Sequence, residues 1–94
     1  MAARADLRAI YTQSAELFGF AQADAYAASF AQSFARIAAF PQIGRHRDDI
    51  SPPARVLSHK SHVIIYDLED DGAVVIRIRH AHEDWTVHSS GDDP

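Results

Sequence analysis

The 94-residue sequence contains no cysteine. This excludes a disulfide frame and a thiolate metal site, and makes a reducing cytoplasm the expected compartment. Also missing is any run of about 18 apolar residues, the length a membrane-spanning helix needs. Arg4, Asp6 and Arg8 fall where a secretory signal would carry its apolar stretch. There is no basic excess: 9 Lys+Arg stand against 13 Asp+Glu, a formal net charge of −4 with histidine neutral. Proteins held to nucleic acid by phosphate contacts are usually basic, so neither a membrane nor direct sequence-specific nucleic-acid binding is expected. What is present is ordinary for a folded chain, 47% hydrophobic and 23% charged. The length suits one small domain, expected over residues 1–88, with 89–94 (SSGDDP) as a flexible tail.

The first half carries helical periodicity. Leu7, Ile10, Tyr11, Ser14, Leu17 and Phe18 recur at the three-and-four spacing of one helix face. Gly19 is placed to end that helix, since glycine takes a left-handed backbone without steric cost. Ala23, Tyr26, Ala27, Phe30, Phe34, Ile37 and Ala38 mark a second helix, and Pro41 stops it by pushing the preceding residue out of the helical region. So short a link predicts an antiparallel helical hairpin. Phe30 and Phe34 read as its core; Tyr11 and Tyr26, whose hydroxyls need water or a partner, read equally as core or as contact residues.

Phe40 to Pro53 holds three of the four prolines and reads as loop. Three β-patterned runs follow, Ala54 to Ser58, His62 to Leu68 and Ala73 to Arg79, the last two joined by a hairpin turn at Glu69–Gly72. Alternation then places Val63, Ile65, Val74, Ile76 and Ile78 on one face, expected to receive the helices. His62, Ile64, Tyr66, Leu68, Val75, Arg77 and Arg79 fall on the other, half-apolar face, a candidate partner site. Charge is segregated: Arg36 to His62 holds five cations and two acids, Asp67 to Asp71 four acids and no cation.

Three short patterns occur in order: Asp-Leu-x-x-Ile-Tyr at Asp6–Tyr11, Phe-Pro-x-x-Gly-Arg at Phe40–Arg45, and Val-Ile-x-Tyr at Val63–Tyr66. Together they resemble the ParE branch of the RelE/ParE toxins of bacterial type II toxin–antitoxin modules, over about residues 3 to 86. The resemblance implies an α+β fold, an antiparallel two-helix hairpin packed on one face of a small antiparallel sheet. Family members usually carry a short strand ahead of the first helix. Here the chain reaches Asp6-Leu7 almost at once, so that strand is expected to be absent and a sheet edge exposed to strand addition.

The resemblance also implies a toxin that inhibits DNA gyrase by binding, without catalysis or cofactor, and that a cognate ParD-like antitoxin neutralises in a hetero-oligomer. Such an antitoxin places apolar side chains in grooves and acidic groups on basic patches, for which Tyr11, Phe18, Tyr26, Ile64, Tyr66 and Arg55 are the candidate contacts. Arg77, Arg79, His80, His82 and Trp85 are the candidate target contacts, tryptophan being enriched in binding hot spots. Two alternatives stay open. One is a decayed toxin that only binds its antitoxin. The other is the ribosome-dependent mRNA endoribonuclease activity of the RelE class, which needs a base and cations around the scissile phosphate. Its candidates are Arg55, Lys60, Arg77, Arg79, His80 and His82, with Glu83 adjacent and His82 as base beside Arg77 and Arg79. His80-x-His82 with His88 lacks the fixed third ligand zinc requires, so no metal site is expected.

Overall fold

The computed structural model describes residues 2–82. Two helices, α1 (Ala2–Phe18) and α2 (Phe20–Ala39), precede four strands, β1 (Arg45–Arg47), β2 (Ala54–His59), β3 (His62–Glu69) and β4 (Gly72–His80). The strands form one antiparallel sheet in the order β1-β2-β3-β4, so the fold is α+β with the helical hairpin as a second layer. Gly19 alone separates the helices, at φ 91°, a conformation that costs any other residue. Phe40, forced out of the helical region by Pro41, ends α2 at φ −135° and ψ 78°.

The segment expected to be loop contains a strand. Arg45, His46 and Arg47 pair with Val56, Arg55 and Ala54 through backbone alone. With no β-branched or aromatic residue, Arg-His-Arg gave no strand signal.

The side of the sheet on which the helices pack is also corrected. They cover Ile64, Tyr66 and Ile78, which join Ile10, Phe30 and Ile37 in the main core. Val63 and Ile65 lie on the opposite face, in a second cluster with Ala54 under Ile50 of the β1–β2 loop. Both faces of β3 are therefore apolar and buried, and alternation loses its contrast. Ile78 changes sides because the ladder shifts: Ile65 pairs with Arg77 but Tyr66 with Val75, leaving Ile76 as a bulge. Arg77 and Arg79 accordingly lie opposite Ile65 and Val63, not beside Ile64 and Tyr66.

The β1–β2 region is tied to the core by one phenol. Tyr66, wholly buried, accepts the Gly44 N–H at 2.8 Å and donates to the Pro41 carbonyl at 2.7 Å. Arg55 Nη1 closes the same loop on the carbonyls of Gly44, at 2.8 Å, and Gln42, at 3.3 Å.

Candidate functional site

A polar seam of imidazoles and hydroxyls joins α2 to the β2–β3 hairpin. His59 and His62 bracket the two-residue turn Lys60-Ser61, and both rings are buried against the helix. Ser29 and Ser33, one helical turn apart, meet the two nitrogens of His59: Ser29 Oγ lies 2.8 Å from Nε2 and Ser33 Oγ 2.7 Å from Nδ1. Ser29 donates its own proton to the Tyr26 carbonyl, so its oxygen accepts from Nε2–H and Nδ1 accepts from Ser33. This pattern fits the neutral Nε2–H tautomer of His59. Burial, with the neighbouring Lys60 charge, pushes its pKa below the ordinary histidine value. On the same helix face the Tyr26 hydroxyl lies 2.7 Å from His62 Nδ1, and His80 packs edge-on against His62 with ring centroids 5.1 Å apart.

Beside this seam, next to the Gly19 turn of the helical hairpin, lies a cavity of about 580 Å³. Leu17, Phe18, Ala25 and Tyr26 line it from the helices along with Gln13, Ser14, Gln22 and Ser29, and Lys60, Ser61, His62 and His80 line it from the sheet. Leu17 and Phe18 are 64% and 67% exposed, and Phe20 across the turn is 71% exposed. Such a cluster of large apolar side chains at one tip marks a surface built for contact.

At the far edge of the sheet, β4 carries the other candidates. Asp6 of α1 accepts the Ile78 N–H at 2.8 Å and takes Arg77 in a two-point ion pair at 2.8 and 3.1 Å. Burial alone would raise the Asp6 pKa. The hydrogen bonds from Arg77 and Ile78, with the Arg77 and Arg79 charges, outweigh it and hold the carboxyl below its ordinary value. His80 Nδ1 accepts the His82 N–H at 3.2 Å, and the two rings sit 5.3 Å apart. Trp85, with Glu83 and His88, lies outside the described residues.

The structure brings Phe18 and Tyr26 to one cavity and leaves Tyr11 on the adjoining helix surface, its hydroxyl donating to Asp24 at 2.8 Å. Ile64 and Tyr66 show no exposed surface, so neither can touch a partner; they are core, because the helices cover their side of the sheet. Arg55 is half-buried and engaged with the loop carbonyls. The cavity's polar residues Ser61 and His62, and the Ser29/Ser33 clamp behind them, were missed as a set. The available signal was Ser29-x-x-x-Ser33 on one helix face with histidines flanking a two-residue turn.

The family model for the ParE toxin of the type II toxin–antitoxin system, parDE, matches residues 1–85. Toxin ParE1 of Mycobacterium tuberculosis strain H37Rv is 36% identical over 84 residues, covering 88% of this chain and 86% of that protein. Toxin ParE3 of Caulobacter vibrioides is 33% identical over 73 residues, 78% of this chain and 73% of that protein.

Proposed function

The chain belongs to the ParE toxin family of type II toxin–antitoxin systems, and from that membership we propose that it is a toxin acting on DNA gyrase by binding, held in check by a ParD-like antitoxin. The observation that supports the antitoxin half is the exposed apolar tip, Leu17, Phe18 and Phe20, of which Leu17 and Phe18 line a cavity shared with Tyr26. A partner helix or extended segment burying these side chains gains roughly 1.5–3 kcal/mol for each one fully covered. Tyr11 extends that contact along α1 in this reading, whereas Arg55, bonded to the Gly44 and Gln42 carbonyls beyond the other end of α2, would meet a separate part of the antitoxin.

The target half rests on the β4 end of the molecule. Arg77, Arg79 and His80 lie on the edge strand β4 with His82 just after it, and Trp85, three positions on in sequence, is of the residue type enriched in binding hot spots. The compartment for this activity is the cytoplasm, where gyrase works; among the described residues no helix is long and apolar enough to cross a membrane.

Inducible expression without antitoxin tests the reading, with growth, plasmid supercoiling and transcript integrity followed in one culture. Growth arrest with altered supercoiling or DNA breaks and intact transcripts is the expected outcome. Arrest with rapid transcript cleavage would overturn it in favour of the endoribonuclease, and arrest that coexpressed antitoxin fails to relieve would remove the antitoxin half.

A further inference from the structure

The two strands that bound the sheet, β1 and β4, are unlike. β1 is short and carries two arginines in Arg45-His46-Arg47, features that guard an edge against pairing. β4 is nine residues long, and its first part, Gly72-Ala73-Val74-Val75-Ile76, holds neither a charge nor a proline. Among the described residues no strand pairs with its outer side. A long, apolar, unguarded edge is a template for another strand.

Asp6 fixes which groups of β4 point outward. It takes the Ile78 N–H, so the Ile64↔Ile78 pair is not hydrogen-bonded across the ladder. Bonded and non-bonded pairs alternate along antiparallel strands, so Tyr66↔Val75 and Leu68↔Ala73 are non-bonded too. The N–H and C=O of Ala73 and Val75 therefore face away from β3. At Ile78 the carboxylate already occupies the outward N–H and closes that end of the edge. Ala73 and Val75 pack their side chains towards the helices, which leaves Val74 on the opposite face. Val74 and Ile76 are 38% and 37% exposed.

We propose that Gly72–Ile76 is a self-association edge, on which a second copy of this chain adds its own β4 antiparallel about a two-fold axis at Val74. Ala73 of each copy then bonds Val75 of the other, so the outward backbone groups of both satisfy one another. Val74 meets Val74 side by side, a β-branched pair of the kind that stabilises adjacent strands. Gly72 of each copy lies opposite Ile76 of the other.

Charge favours a second copy in this direction. The turn before β4 supplies Glu69, Asp70 and Asp71, and Arg77 and Arg79 follow Ile76. An antiparallel copy brings Asp71 level with Arg77 of the other copy, twice by symmetry. A parallel copy would set one acidic turn against another. Arg77 keeps its bond to Asp6 and is 40% exposed, so the new pairing adds a charge contact without breaking the old one. One short strand pair buries less than the roughly 1,200 Å² of a standard interface, so the association is weak and reversible. The proposal does not rest on the gyrase and antitoxin reading.

Sedimentation equilibrium of the full chain between about 10 μM and 1 mM is the first test. Monomer and dimer in reversible equilibrium, with no larger species, are expected. Val74→Lys sets two cations side by side at the axis and should weaken the dimer about fivefold or more. A monomer at every concentration overturns the proposal. So does a mass that grows past the dimer, as open pairing of β4 on β1 of the next copy would produce.

The register is tested by cross-linking, since the chain has no cysteine of its own. Val74→Cys should form a disulfide-linked dimer under mild oxidation, because a non-bonded antiparallel pair holds its Cα atoms about 4.5 Å apart. Ile76→Cys, as exposed as Val74, sits about 13 Å from its twin in this register and should link at least about tenfold more slowly. Equal rates would overturn the proposal. Amide exchange of Ala73 and Val75 should slow as the concentration of the chain rises. Slowing that appears only when antitoxin is added to a monomeric chain assigns the edge to an antitoxin strand and overturns it.

Discussion

A Cβ added to Gly44 would lie 2.6 Å from the phenol oxygen of Tyr66, the same oxygen that accepts the Gly44 N–H. The Phe-Pro-x-x-Gly-Arg and Val-Ile-x-Tyr patterns are thus two halves of one contact, which docks the loop after α2 onto the helix-covered face of β3. The glycine is there for close approach.

Substitution at either residue should destabilise the fold. Tyr66→Phe leaves the buried Gly44 N–H without its acceptor and the Pro41 carbonyl without its donor, a loss of about 1–3 kcal/mol. Gly44→Ala forces the ring to move and should cost about as much through overpacking. Because both changes break one hydrogen bond, the double variant should lose less than the sum of the two. Urea unfolding of the three variants measures all of this; additive losses would show that the contact is not shared.

Asp6 couples α1 to the edge of β4, and its pH dependence has a definite sign. A carboxyl whose folded pKa is lowered stabilises the protein above its unfolded value, and the contribution is lost as the pH falls through the folded one. Asp6→Asn should therefore destabilise the protein at neutral pH by about 1–3 kcal/mol, with the difference from wild type shrinking in acid below about pH 4. Thermal melts at pH 7 and pH 3 read both effects. A pH-independent difference would mean that the ion pair to Arg77 contributes nothing.

His59 gives the opposite group type and the same direction. It is bound neutral, with its pKa lowered by burial, so the unfolded chain takes up a proton that the folded chain resists. Stability should be full above the unfolded value near 6.5 and decline as the pH falls below it towards the folded pKa. His59→Gln should flatten that part of the stability curve. An unchanged slope between about pH 6.5 and pH 5 would place the titration elsewhere.

The hairpin tip separates stability from binding. Phe18 is mostly exposed in the free chain, so Phe18→Ser should alter folding stability by no more than about 0.5 kcal/mol. If it anchors the antitoxin, the same change should weaken the complex by about tenfold or more. Calorimetry of folding and of binding distinguishes the two; a loss of stability without a loss of affinity would return Phe18 to the core.

The local features were legible. Gly19, Pro41 and the Asp71-Gly72 hairpin announced their turns through backbone chemistry that any chain must obey, and helix-spaced apolar residues announced the helices. What stayed hidden depends on distance in the chain. Arg77 meets Asp6 across 71 positions and Ser29 meets His59 across 30, and neither spacing leaves a periodic trace. The bulge at Ile76 moved Ile78 to the other face, and β1 pairs by backbone alone. Alternation could not choose the helix side of β3, because Ile50 covers the face the helices leave open.

The most direct test of the central claim is DNA supercoiling by purified gyrase, measured with increasing amounts of the purified full-length chain. Supercoiling that falls as the protein approaches gyrase in concentration, and returns when antitoxin is added, is the predicted result. Supercoiling unaffected by a large excess of protein that arrests growth when expressed would contradict it.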